Sequence, residues 1–328
     1  MKFGPRPIDQ AHGCILAHSI ALPTGRLRKG ITLTDKHICD LKAEGRTEIT
    51  VAALETGDVE EDTAATRLGA ALLDSTTGLR ASVAATGRVN LIATGAGVAL
   101  IDEAKLHALN DVNPMISFAS VPAFHQMHEN GMVGTVKIIS YAVPEGDLNA
   151  ACTLARGAVK FAPAIPQRVS LIISQINDGA DEDKAIAATR ARVEALECEL
   201  SETLICQHSE QAIAEAIAQA RGDVVLILTG SATSDPFDVA PSAVVQAGGV
   251  ITRFGMPVDP GNLLFLGHLG NRPIIGLPGC ARSPALNGAD KVLSRVLCGV
   301  PVSSADIAKM GVGGLLKEIP TRPRPRAS

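Results

Sequence analysis

Val224-Val225-Leu226-Ile227-Leu228 runs directly into Thr229-Gly230-Ser231-Ala232-Thr233-Ser234-Asp235-Pro236-Phe237-Asp238. Five apolar residues bounded by Asp223 and Thr229 suit a buried central strand of a parallel sheet. Such strands deliver their loops to the carboxyl edge of the sheet, where ligands bind. The small, hydroxyl-bearing loop lets backbone amides approach an anion. The helix expected from Asp238-Val239-Ala240-Pro241 onward adds partial positive charge at its N-terminus, so the expected guest is a phosphate or similar oxyanion. The plainer alternative is that Asp238 only caps that helix, with Pro241 at an early helical position.

Around this stretch the pattern alternates. Strand signals at 169–173, 203–206, 250–254, near 263–266 and at 273–277 are interleaved with helical periodicity at 181–200, 209–221, about 239–247 and about 283–297. Strand and helix in succession predict a three-layer α/β/α domain on a mostly parallel sheet. A second loop, Gly276-Leu277-Pro278-Gly279-Cys280-Ala281-Arg282-Ser283-Pro284, follows the last apolar strand and should project from the same edge. A plain strand-to-helix turn has no need of Gly, Pro and Gly within four residues. Two loops at one edge make a pocket.

Upstream, the chain reads as an α+β region over residues 1–160, divisible into 1–75 and 76–160. Short strands lie near 13–17 and 26–30 around a turn at Pro23-Thr24-Gly25. A helix with Thr34 as N-cap stops at Gly45, and a strand occupies 47–51. Residues 60–73 have helical spacing and an acidic first turn, Glu60-Glu61-Asp62, which suits the helix dipole. Strands at 88–93 and 132–139 and helices at 102–109 and 148–159 follow. Phe161-Ala162-Pro163-Ala164-Ile165-Pro166 breaks both periodicities and marks the domain boundary. The α/β domain then covers 166–300, and 301–328 is an extension whose segment 321–326, alternating Arg with Pro, reads as disordered.

Composition narrows the function. With no Trp, one Tyr and seven Phe, the chain lacks material for an aromatic stacking surface, and a net charge of −4 disfavours duplex binding, so nucleic acid is excluded as a partner. Seven scattered cysteines without a Cys-x-x-Cys pair read as reduced thiols, and no signal-peptide core or run of about 20 apolar residues occurs. A cytoplasmic protein without membrane attachment is expected.

Four segments, Thr229-Gly230-Ser231, Asp238, Asp259-Pro260-Gly261-Asn262 and Gly276 to Ser283, resemble in order and spacing the molybdopterin-binding domain of the molybdopterin molybdotransferases and adenylyltransferases of molybdenum cofactor synthesis, over about 167–300. The resemblance implies molybdopterin or its nucleotide derivative as ligand or substrate, with Mg²⁺. It implies a binding site drawn from Thr229, Gly230, Ser231, Ala232, Pro260, Gly261, Gly276, Leu277, Pro278, Gly279, Cys280, Arg282 and Ser283. Asp238 would be catalytic and metal-binding, with Asp235 of the same loop as its catalytic companion. The whole chain is similar to a bacterial class of molybdopterin-binding proteins, some fused to a nucleotidyltransferase, and the family's habit implies a homo-oligomer.

The departures matter. The family's Gly-Gly is Gly230-Ser231 here, its Lys-Pro-Gly-Lys-Pro segment carries Asp259 and Asn262, and its Asn-Pro is Cys280-Ala281. An acid where the family places cations repels an oxyanion, so Arg253, Arg272 and Arg282 are the candidates to restore positive charge. Three functions stay open. They are a Mg²⁺-assisted transferase, a non-catalytic carrier or regulatory module acting with a separate nucleotidyltransferase or molybdoenzyme, and a nucleotide pyrophosphatase resembling the competence-damage proteins.

Three further motifs carry plainer explanations. Gly95-Ala96-Gly97 begins like a dinucleotide fingerprint but lacks its third glycine. His125-x-x-His128 could share a helical face without making a metal site. Cys280 could be nucleophilic at a helix N-terminus, or simply a small buried apolar side chain.

Overall fold

The computed structural model describes residues 1–23, 25–177 and 182–316, and its chain divides into two compact units. Thr24 of the expected turn, the expected helix start at Asp181 and the segment 321–326 lie outside the described residues.

The first unit comprises residues 1–94, 99–123 and 129–161. Its opening sheet is antiparallel, with Glu48–Ala53 between Lys2–Pro7 and Ile15–Leu16. The helix Asp35–Ala43 is set by reciprocal capping between Thr34 and His37, and Gly45 closes it at φ +74°. Ile8, Leu16, Leu33, Leu41 and Val51 form the core beneath it. A second antiparallel sheet runs in the order Ile116–Ser120, Met132–Ile138, Arg88–Ala93, Leu79–Ala81. The helix Glu61–Leu73 packs on it through Ala64, Leu68 and Leu72, all fully buried, and Glu60 caps that helix by accepting from the N–H groups of Asp62 and Thr63.

The second unit comprises residues 95–98, 124–128 and 162–328 and contains a six-stranded sheet. In chain order its strands are β1 (Arg168–Gln175), β2 (Glu199–Gln207), β3 (Val224–Leu228), β4 (Val250–Phe254), β5 (Phe265–Leu269) and β6 (Arg272–Leu277). The helices are α1 (Asp183–Glu194), α2 (Glu210–Gln219), α3 (Val239–Gln246), α4 (Gly288–Leu297) and α5 (Ser304–Ala308). The strand order is β2-β1-β3-β6-β5-β4, with β2, β1, β3 and β6 parallel and β5 antiparallel to both neighbours. All five residues of β3 are 0% exposed, which is why the stretch lacks alternation. Each such aliphatic side chain contributes about 1.5–3 kcal/mol when it leaves water. Ile172, Ile227 and Ile274 on the sheet pack with Ile213, Ile217, Ala243 and Val244 of α2 and α3.

Boundaries shift where tertiary pairing or capping overrides local periodicity. The helix expected over 181–200 stops at Glu194, because Glu197 turns the chain at φ +56° and residues 199–202 pair in parallel with β1. The helix expected from 283 begins at Gly288. Asn287 and Asp290 form the capping box that sets it, leaving 283–287 to the loop. The helix expected over 148–159 is Glu145–Ala155, and Gly157 at φ +60° leads to a strand at Val159–Pro163 where a break was expected. The strand near 263–266 is Phe265–Leu269. His125 and His128 flank a two-residue strand paired with Gly97 and Val98, so they share no helical face. Gly97 opens the strand Gly97–Ile101, so those glycines lead into a strand and the next helix starts only at Glu103.

At the amino edge of the sheet, Ser170 Oγ and the Arg221 N–H donate to Glu202 Oε1 at 2.5 and 2.6 Å, while the Gly222 N–H donates to Ser170 Oγ at 2.7 Å. The Ser170 hydroxyl, then the Arg221 amide, hold the Glu202 carboxyl below its ordinary 4.5. A carboxyl depressed in the folded state stabilises above its unfolded value and loses that contribution as pH falls through the folded one. Stability should therefore drop on acidification below 4.5. Urea midpoints at neutral and acid pH should lie closer together in Glu202→Gln than in the parent, and an unchanged separation would remove Glu202 from the acid response.

Candidate functional site

The carboxyl edge gathers the segments that sequence reading singled out. β3 ends at Leu228, in register with Leu277 at the end of β6, so the loops 229–238 and 278–287 leave neighbouring strands side by side. Arg282 ties them, donating from Nη2 to the Thr229 carbonyl at 3.1 Å and pairing through Nη1 with the buried carboxylate of Glu182. The third segment joins at the start of α4, where the Gly288 N–H donates to the Pro260 carbonyl at 2.8 Å.

Arg192 on α1 was invisible to sequence reading and holds the second loop. Its guanidinium donates to the carbonyls of Ala281 (2.9 Å), Ser283 (2.7 Å) and Ala285 (3.0 Å), and to Asp290 Oδ1 at 2.6 Å. Five fixed donors on one planar group suit such a fan of acceptors. No local signal marks an arginine in the last turn of a helix for this task. Asp290 also went unread, and the signal that could have found it is its place as the third position of the Asn287 capping box.

Within the first loop, Thr229 Oγ1 donates to the Ser231 carbonyl at 2.6 Å and lies 3.3 Å from Thr233 Oγ1. The Gly230 N–H reaches Ser174 Oγ at 3.4 Å, and that hydroxyl lies 2.9 Å from His208 Nδ1. A Cβ on Gly230 would stand 2.7 Å from the Ser174 carbonyl, so only glycine lets the loop pass so close to the end of β1. Asp238 is the N-cap of α3. Its Oδ1 accepts from the Val239 N–H at 2.7 Å and its Oδ2 from the Ser234 N–H at 2.9 Å. Asp235 Oδ1 accepts from the Phe237 N–H at 2.8 Å.

Burial sorts the expected site residues into three groups. Thr229, Gly261, Gly276, Leu277 and Pro278 are buried and anchor the loops. Gly276 lies where a Cβ would come within 2.4 Å of three atoms of the Phe265 ring, so cross-strand packing accounts for that glycine. Gly230, Ser231, Ala232, Asp235, Gly279, Cys280 and Ser283 are exposed, while Asp238, Pro260 and Arg282 are half-buried. The exposed group is the surface open to a ligand. Cys280 is exposed and not a buried small side chain, and neighbouring protein pushes its thiol pKa up, so it is held as a thiol.

The expected arginines do not supply a spare cation. Arg272 stands at the opposite end of β6 and donates to the carbonyls of Ile217 and Ala220, which end α2. Arg253 donates to the Gly255 carbonyl and Ser304 Oγ, and Arg282 is paired with Glu182. Among the described residues no group of three or more His, Cys, Asp or Glu side chains is placed to hold a metal, and both oxygens of Asp238 already accept backbone N–H groups. A cleft of about 900 Å³ lies beside the far end of the first loop, lined by Pro236, Phe237, Val245, Val250, Ile251 and Phe254 among others; it is largely apolar and does not include the 278–283 loop. Among the described residues no helix is long and apolar enough to cross a membrane.

A mostly parallel α/β sheet with paired loops at its carboxyl edge defines an α/β domain of the kind whose ligands bind at that edge. Residues 170–298 match the family model described as the probable molybdopterin binding domain, so the second unit carries a domain of the molybdopterin-binding family found in molybdenum cofactor biosynthesis. Residues 5–53 match a domain of unknown function, DUF8806. Among solved structures, the chain is similar to the molybdopterin biosynthesis MoeA protein from Pyrococcus horikosii, with 13% identity and a TM-score of 0.30 over 93% of this chain and 75% of that one. It is also similar to a protein assigned to molybdenum cofactor biosynthesis from Corynebacterium diphtheriae, with 15% identity and a TM-score of 0.30 over 44% of this chain and 99% of that one. No curated protein matches the chain.

Proposed function

We propose that the second unit binds molybdopterin, or a nucleotide derivative of it, across the exposed residues of the 229–238 and 278–283 loops, in a step of molybdenum cofactor biosynthesis. The observation that carries this reading is the Arg282 strut between the two loops, which turns two separate turns into one continuous edge inside the region matching the family. Exposed, small residues at 231–232 and 279–280 leave backbone N–H groups for the ligand's oxygens, and Asp235 and Asp238 stand at the far end of the first loop as hydrogen-bond acceptors.

Between transferase and carrier, the engaged arginines favour the carrier. Transfer of an oxyanion needs a preorganised cation or a set of donors aimed at developing charge, and Arg253, Arg272 and Arg282 are all committed to protein acceptors.

Anoxic calorimetry with purified molybdopterin tests binding. Iodoacetamide labelling of the exposed Cys280, followed by mass spectrometry, tests location. Bound pterin should slow Cys280 labelling about tenfold or more at saturation, since a blocked thiol reacts only in the free fraction. Unchanged labelling at saturating pterin would place the ligand elsewhere. Formation of active cofactor on adding molybdate would return the transferase reading.

A further inference from the structure

Among the described residues, Arg295 Nε is the one buried side-chain nitrogen or oxygen without a hydrogen-bond partner. Arg295 lies on α4 and is 8% exposed, with Cζ 3.6 Å from the centroid of the Phe124 ring. Phe124 reaches that position from a left-handed backbone at φ +60°, an uncommon conformation for an aromatic residue. The guanidinium is therefore held against a ring, with its buried Nε–H left without an acceptor.

The acid that acts on it is already committed. Asp306 lies within electrostatic reach, but its Oδ2 accepts from the Ser303 N–H at 2.9 Å and from Ser303 Oγ at 2.6 Å as part of the cap of α5. One turn before Arg295, on the same face of α4, stands half-buried Lys291, so two cations with no carboxylate in ion-pair range among the described residues occupy one helical stripe. Burial pushes the pKa of both down, and Arg295 adds to the shift at Lys291. A buried, unpaired cation beside a like charge is costly, and a folded chain bears that cost where an anion joins the pair.

We propose that Arg295 and Lys291, braced by Phe124, form a binding site for a phosphate-sized oxyanion, free or as the phosphoryl group of a larger molecule. Parallel guanidinium N–H donors match two oxygens of such a group, and the ammonium, open to solvent at half-buried Lys291, takes a third. The proposal does not rest on pterin binding.

The test is thermal melting and calorimetry of the full chain with inorganic phosphate at constant ionic strength, on the parent, Arg295→Met and Lys291→Met. Phosphate should raise the melting temperature of the parent in a saturable way. Arg295→Met should weaken phosphate binding by about tenfold or more, the effect of losing a charge-assisted pair, and Lys291→Met by about threefold to tenfold. Without phosphate, Arg295→Met should melt at or above the parent, because an apolar side chain removes an uncompensated buried charge. If Arg295→Met does not fold, Lys291→Met alone decides. No phosphate effect on the parent, or equal shifts in parent and variants, would overturn the site. A nucleoside monophosphate bound more tightly than phosphate through the same residues identifies a phosphoryl group as the guest, and equal affinity identifies free phosphate; either supports the site.

Discussion

Replacing Arg192 with methionine is expected to destabilise the second unit by about 3 kcal/mol, the lower end of what breaking a buried ion pair costs. The side chains of Arg192 and Asp290 are 10% and 14% exposed, so solvent screens the pair only weakly. The variant also removes the donor shared by the carbonyls of Ala281, Ser283 and Ala285, and frees the loop that carries Gly279 and Cys280. At roughly 2–4 °C per kcal/mol for a domain of this size, the melting temperature should fall by about 6–12 °C. Pterin affinity should fall with it. Arg192→Lys should recover little, because an ammonium cannot span four acceptors. A methionine variant that melts with the parent would show that the loop holds its shape without Arg192.

Gly261→Ala is expected to cost about as much for a different reason. Gly261 has φ +132°, and a Cβ there would sit 2.4 Å from the Gly288 nitrogen and 2.7 Å from its Cα, both backbone atoms that cannot rotate away. Backbone strain of about 1–3 kcal/mol adds to overpacking of about 1–3 kcal/mol. The neighbouring hydrogen bond from the Gly288 N–H to the Pro260 carbonyl would also be lost or lengthened. Gly279→Ala is the control. Nothing lies within 4 Å of its Cβ position and its φ is not positive, so stability should change by less than about 0.5 kcal/mol while pterin affinity falls. Equal melting curves for Gly261→Ala and the parent would refute the close approach of the 259–262 segment to α4.

Each of these residues shows a different limit of sequence reading. The loops at 229–238 and 278–283 were legible because an apolar run ending in small and polar residues has one sensible place in a parallel sheet. Asp238 was legible as a cap, and it caps. The expectation that Arg253, Arg272 and Arg282 would face an oxyanion assigned charge by proximity in the chain. Arg272 instead closes the last carbonyls of α2, and Arg282 became a strut because Glu182, 100 positions upstream, lies beside it.

The glycines divide in the same way. Gly230 and Gly261 were read as ligand-facing, and their neighbours show close backbone approach, to the end of β1 and to α4. Gly276 answers to the Phe265 ring across the sheet, a pairing set by the antiparallel register of β5 with β6. Only Gly279 of these four has open space at its Cβ position, which is the property a ligand contact needs.

The sequence by itself determined the α/β class of the second unit, the place of β3 at its centre and the two loops at its carboxyl edge. Hydrophobic periodicity and capping are local, and they survive in any surroundings that bury the apolar face. The tertiary structure alone decided which cations stay free, which glycines are packed and which arginine holds the second loop. Those outcomes depend on partners tens of residues away in the chain, as Arg192 does on Ala281, Ser283 and Ala285. A guanidinium's role is set by the groups that folding brings to it: beyond the Ala188 carbonyl one turn back, the acceptors of Arg192 lie about 90 residues away, and Arg295 meets the ring of Phe124.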